Sequence, residues 1–293
     1  MSEFVGAVIS SVFFGTALGM MALGFTLSYT VSKVFNFAVG QFAILGALLA
    51  IKLNFGGSAI VSDLVAILIS AALGAIVYLL ALRWPEKHGA DPLTLVIITF
   101  GVGLIVEQLV TREWGSYSFT APSIVNGGFN LVGNEVPWQG VIFLVVAAAT
   151  VLGLALLQRK TIAGKQILAL GANREAARFY GINDTAMVSI AWALSFMVLA
   201  IAGTLFMPLT GVSISTDITY GIEAFAAAVV GGLGNPGGAM AGGLIVGFVS
   251  TLAGTYLNPN IMDLLAFAML FLFLVFKPSG LTGSAVEILG PRA

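Results

Sequence analysis

Residues 220–257 read YGIEAFAAAVVGGLGNPGGAMAGGLIVGFVSTLAGTYL. An apolar run of this length, with Glu223 as its one charge, is what a membrane-spanning helix requires. Its middle is different. The run Gly231-Gly232-Leu233-Gly234-Asn235-Pro236-Gly237-Gly238 should unwind the helix, because glycine and proline are the poorest helix formers. Unwound backbone at membrane depth is tolerated only against protein or a water-filled cavity, and transporters use such breaks to bind substrate near the midplane. Two readings stand: a functional break that includes Gly231, Gly232 and Gly234, or a plain turn between helices. The same run contains a formal G-x-G-x-x-G from Gly232 to Gly237. It is no dinucleotide fingerprint, since it follows a membrane segment rather than a strand and no acid lies about 20 residues on.

The rest of the chain belongs to the same setting. Of 293 residues, 59% are hydrophobic and 9% charged, against roughly 45–50% and about 25% in soluble domains. That is too little charge to coat a globule, and it excludes an ordinary soluble enzyme and a disordered chain. A net charge of −1 excludes a nucleic-acid binder. Without cysteine, and with His88 as the one histidine, no thiolate or histidine metal centre is expected. Apolar runs near 5–30, 36–52, 62–82, 92–111, 138–157, 186–208, 220–257 and 260–276 predict an all-α, polytopic transmembrane helix bundle. It has about eight spans, the seventh interrupted near 231–238. All 293 residues form a single transmembrane domain.

The charges orient it. Arg159, Lys160, Lys165, Arg174 and Arg178 fall in the loop 158–184, Arg83 and Lys87 in a shorter connection, and Lys277 and Arg292 near the C-terminus. The positive-inside rule places all three in the cytoplasm. Residues 112–137 and 209–219 are then outside, as is the N-terminus.

Polar groups within spans are candidate pathway residues, because each is costly in lipid. Glu107 lies in the outer half of the fourth span, and Glu223 follows Asp217 at the start of the seventh. Together they suggest an anionic outer mouth, or else pairing with Arg112. Asn36 and Gln41 open the second span. Each amide needs partners in a dry setting, which means substrate contact or glue between helices. In the loop, Ala172–Tyr180 reads as a short helix between Gly171 and Gly181. Its small Ala176 and Ala177 permit close approach of a partner, and Phe179 and Tyr180 are aromatic anchors.

Three stretches carry a family resemblance. Gly24-Phe25-Thr26-Leu27-Ser28-Tyr29 leads into Asn36-Phe37-Ala38-Val39-Gly40-Gln41. Glu223-Ala224-Phe225-Ala226-Ala227-Ala228-Val229-Val230-Gly231-Gly232-Leu233-Gly234 continues to Pro236-Gly237-Gly238-Ala239. Glu175-Ala176-Ala177-Arg178-Phe179-Tyr180-Gly181 has the form E-A-A-x-x-x-G. Over nearly its whole length the chain resembles the permeases of branched-chain amino acid ABC importers.

The resemblance implies two cytoplasmic ATPase subunits, a second homologous permease (or a second copy of this chain) and an external substrate-binding protein. It implies ATPase coupling through Gly171, Arg174, Glu175, Ala176, Ala177, Arg178, Phe179 and Gly181, and residence in the bacterial inner membrane. The family often has His and Glu where this chain has Val39 and Gln41, so a related small amino acid or organic acid is an alternative cargo. The chain has no G-x-x-x-x-G-K-[ST] loop. It is therefore expected to be no enzyme and to bind no cofactor, with ATP and magnesium used by the partner subunits. The competing reading is an ion-gradient-driven secondary transporter using Glu107 or Glu223 as a proton relay.

Overall fold

The computed structural model describes residues 2–53, 58–115, 121, 123–211, 217–258 and 261–282. The apolar runs fold as helices, which satisfy every internal backbone polar group where water is absent. In chain order come α1 (Ser2–Ser32), α2 (Val39–Leu53), α3 (Ala59–Val77), a π-helical turn (Tyr78–Leu82), α4 (Arg83–Lys87) and α5 (Pro92–Trp114). A two-stranded antiparallel hairpin, β1 (Gly128–Leu131) and β2 (Asn134–Pro137), precedes α6 (Trp138–Lys160). Then follow α7 (Ile162–Ala172), α8 (Arg174–Phe179), α9 (Asp184–Thr210), α10 (Asp217–Gly231), α11 (Pro236–Tyr256) and α12 (Ile261–Phe276). Among the described residues, six helices are long and apolar enough to cross a membrane, while α2, α10 and α12 are shorter apolar ones.

The core forms around α1 and α9, whose Met20, Ala22, Leu23, Trp192 and Phe196 are fully buried. Ser195 on α9 donates to the Gly24 carbonyl of α1 at 2.6 Å, a hydrogen bond in an otherwise apolar contact. The outer helices α5, α6 and α12 leave Leu104, Ile105, Val145, Leu152 and Phe271 exposed, as lipid-facing surfaces do. Glycine sets the closest approach. A Cβ at Gly243 or Gly247 of α11 would run into the α1 backbone at Gly19 or Gly15, which is the small-residue packing of membrane helices. Since 243 meets 19 and 247 meets 15, α11 runs antiparallel to α1.

The interruption at 231–238 turns out to be a tight turn. Gly231 abuts Gly238, and Gly242 abuts Ala227, so α10 and α11 are an antiparallel pair and the seventh run is two helices rather than one broken helix. Gly232 and Gly234 take φ of 107° and 91°, the left-handed region that glycine enters without a Cβ penalty. Asn235 caps α11 by accepting from Gly237 and Gly238 amides at 3.0 and 3.3 Å. The segment after α12 caps α10: Leu281 N donates to Val230 O at 2.9 Å, and Thr282 Oγ1 to Gly231 O at 2.7 Å. Asn235 and Gly237 are exposed. The turn lies at the end of the bundle where α1 finishes and where α7 and α8 sit, which we call the loop end.

Candidate functional site

Two places hold the polar groups of interest, one at the loop end and one inside the bundle. At the loop end, three asparagine and threonine caps make a basic connection into helices. Thr161 caps α7, Asn173 caps α8 and Asn183 caps α9, accepting from the amides of Gly164, Ala176 and Ala186 at 3.0, 3.0 and 3.1 Å. The single helix expected over Ala172–Tyr180 is thus two, split at Asn173, whose extended backbone ends α7. Gly171 falls in the last turn of α7 and packs on Thr30 at the end of α1, so it belongs to the bundle rather than to an outward surface. Gly181, with φ of 79°, closes α8.

What α8 presents outward is specific. Phe179 and Tyr180 are 91% and 89% exposed. Glu175, Arg178 and Gly181 are exposed beside them, Ala176 is half-buried, and Ala177 faces the core. The underside is clamped. Arg174 donates from Nη1 to Glu86 Oε1 and from Nε to Asp184 Oδ1, the latter at 2.9 Å. Arg178 Nε donates to Asp184 Oδ2 at 3.1 Å, and its Nη2 reaches the same oxygen. Burial works against the Arg174 charge, but the hydrogen bonds it donates to Glu86 and Asp184 outweigh it and raise its pKa above the ordinary guanidinium range. Glu86 and Asp184 were not singled out from sequence. The available signal was an acid within the basic stretch Arg83–Lys87 and another directly after the α9 cap.

Inside the bundle, the polar break is at Lys33–Ala38, between α1 and α2. Lys33 closes α1 with φ of 55°, a strained value for a residue with a side chain. The chain then re-enters: Val34, Asn36 and Ala38 are 2%, 1% and 1% exposed. Thr99 of α5 supports it, its hydroxyl donating to Phe35 O at 3.1 Å and accepting from Phe37 N at 3.3 Å. Phe35 stacks on Tyr29 at 5.0 Å, and Phe225 lies 5.4–5.7 Å from Phe25, Phe35 and Phe37. Gly221 of α10 rests on Phe37 and Gly40. It precedes Gly231 by ten residues, so this break lies about 15 Å inward from the loop-end turn.

The amides are only partly satisfied. Asn36 Oδ1 accepts from Ala38 N at 3.1 Å. Asn36 Nδ2 and Gln41 Oε1 are buried with no hydrogen-bond partner among the described residues, and so is Glu107 Oε2 on α5. Gln41 packs on Gly103, one helical turn before Glu107. It also lines a cavity of about 360 Å³ with Phe37, Val96, Ile97, Phe100, Ile218 and Ile222.

The other pathway candidates lie elsewhere. Gly231, Gly232 and Gly234 form the loop-end turn, because α10 and α11 pair; Gly231 and Gly232 are buried there and Gly234 is half-buried. Glu223 is 2% exposed and does not line the cavity. Two residues beyond Gly221, it is turned about 200° around α10. The side chain of Asp217 and all of Arg292 lie outside the described residues, as do residues 212–216 of the expected outer loop 209–219.

A family model described as the permease component of the branched-chain amino acid transport system matches residues 7–274. The chain belongs to this family. The high-affinity branched-chain amino acid transport system permease protein LivH of Escherichia coli is 29% identical to it over 298 residues, covering 96% of each chain. The probable branched-chain amino acid transport permease protein LivH of Methanocaldococcus jannaschii is 33% identical over 266 residues, 86% of this chain and 80% of its own. The ribose import permease protein RbsC of Escherichia coli is 26% identical, over 79% of this chain and 72% of its own. The fold is shared with PsaBC from Streptococcus pneumoniae in complex with Fab, at a TM-score of 0.51 and 14% identity over 95% of this chain and 93% of that one. As a branched-chain amino acid permease, the chain is an all-α, multi-pass membrane protein and the transport component of an ABC importer.

Proposed function

We propose that this permease carries branched-chain amino acids, or a related small amino or organic acid, into the cell, powered by two ATPase subunits that dock on α8. In this reading the loop end, with 158–184 and the C-terminal segment, faces the cytoplasm, and the far end receives an external binding protein. A second permease subunit, homologous or a copy of this chain, completes the pore. The observation that carries the reading is α8 itself: a capped helix, clamped from beneath, that holds two aromatic side chains in the open. Large exposed aromatics on a rigid support are what a docking hot spot requires. The Gln41 cavity, with the Asn36 amide behind it and Glu107 one turn along, is the part of the passage this chain contributes.

The test is reconstitution in proteoliposomes with the partner ATPases, second permease and binding protein. Leucine should accumulate only when ATP is supplied on the α8 side. Uptake driven by an ion gradient, without ATP or partner subunits, would contradict the reading and favour a secondary transporter.

A further inference from the structure

A connected route leaves the underside of α8 and reaches the cavity wall. Arg174 bonds one oxygen of Glu86, and the other accepts from the Tyr78 hydroxyl at 3.0 Å. Tyr78 is 2% exposed and is the first residue of the π-helical turn Tyr78–Leu82. Its ring stacks on Trp192 with centroids 6.3 Å apart. Trp192 lies 5.8 Å from Phe196, and Phe196 lies 4.0 Å from Phe42. Phe42 follows Gln41 in the first turn of α2. The three aromatics beyond Tyr78 are fully buried or nearly so.

Two features make this more than a packed row. Close-packed interiors respond to displacement by switching between discrete arrangements rather than by deforming smoothly. A π-helical turn is a register defect in the backbone ladder, and such bulges are frequent at functional sites. Here the defect begins at the residue that holds Glu86. In addition, Trp192 Nε1 is buried with no hydrogen-bond partner among the described residues, so the hub of the route is not fully satisfied in this arrangement. Arg174 grips Glu86 on one side and Asp184 on the other, both largely shielded. A displacement of α8 therefore pulls on α4 and on the start of α9 together.

We propose that Glu86 and Tyr78 are positioning residues that convert movement of α8 into a shift at the start of α2, with the π-helical turn as the segment that yields. This rests on α8 being the ATPase docking site. It assigns the transmission to groups that touch neither ATPase nor cargo. Tyr78→Phe keeps the ring and removes only the bond to Glu86, so it separates transmission from folding.

The experiment uses the complete complex in lipid nanodiscs. The chain has no cysteine of its own, so Ile97→Cys and Ile218→Cys place spin labels on α5 and α10, on two walls of the cavity. Adding ATP with vanadate should shift the label separation in the otherwise unaltered protein. In Tyr78→Phe, ATPase capture and basal hydrolysis should persist while the shifted population falls at least about fivefold, the factor of one hydrogen bond. Glu86→Gln should act in the same direction, and the double variant should be no worse than Glu86→Gln alone, because both break one link. An undiminished shift in Tyr78→Phe, or fully additive losses, would overturn the proposal. Loss of ATPase capture in Tyr78→Phe would also overturn it, since the clasp would then only shape the docking surface. Failure of the docking assignment is seen separately, as ATPase capture that survives Phe179→Ala with Tyr180→Ala.

Discussion

The chain is interrupted twice in ways that matter, and the two interruptions contrast. The stretch Gly231–Gly238 carries five glycines and a proline within eight residues, plus Asn235. It forms a turn at the end of the bundle, exposed at Asn235 and Gly237, in which backbone carbonyls and amides are answered by Asn235, Leu281 and Thr282. The stretch Lys33–Ala38 contains no glycine. It is nonetheless the buried, irregular backbone, where Asn36 Nδ2 and, nearby, Gln41 Oε1 have no hydrogen-bond partner among the described residues. Glycine content therefore reports how sharply a backbone bends. Depth is set by which helices cover the bend, and unsatisfied polar atoms report where something else is expected to bind.

This contrast can be broken most forcefully at the turn. Gly242→Leu drives a side chain into the Ala227 carbonyl. It should destabilise the bundle by about 3 kcal/mol or more, read as loss of monodisperse protein and a lower Tm in detergent. A variant that folds normally would mean that the α10–α11 contact is looser than described. The buried break should behave in the opposite sense. Gln41→Leu removes an unsatisfied polar atom, so stability should be unchanged or raised, while leucine import falls about tenfold, equivalent to roughly 1.4 kcal/mol. If Gln41→Leu destabilised the protein and left import per folded molecule intact, the amide would be glue between helices. The smallest effect is expected from Asn235→Ala, which removes the α11 cap. Its cost should be about 1 kcal/mol, seen as a modest fall in Tm with import per molecule preserved. A specific loss of import there would restore the glycine turn as a pathway element.

Much of this was legible in the sequence for a physical reason. Long apolar runs can only be helices in lipid, so the spans and the family motifs emerged together. The α8 segment was visible in outline, because Gly181 and the paired aromatics signal a short exposed helix locally, while its start at the Asn173 cap emerged only from the fold. What was hidden depends on long-range pairing. Arg174 reads as a docking cation until the fold brings Glu86 to it across 88 positions. Gly171 reads as a loop residue until it is found against Thr30. Glu223 reads as an entrance residue, yet the fold buries it and leaves it out of the cavity lining. The Lys33–Ala38 break looked like a short connector because nothing in its composition states that Thr99 and Phe225 close over it.

The measurement that bears most directly on the account is capture of the ATPase subunits by the purified permease. Replacing Phe179 and Tyr180 together by Ala touches no buried group, so Tm should be unchanged. Affinity for the ATPase subunits should fall at least about tenfold, as expected when hot-spot aromatics are truncated. Capture at undiminished affinity would contradict the assignment of α8 as the docking element.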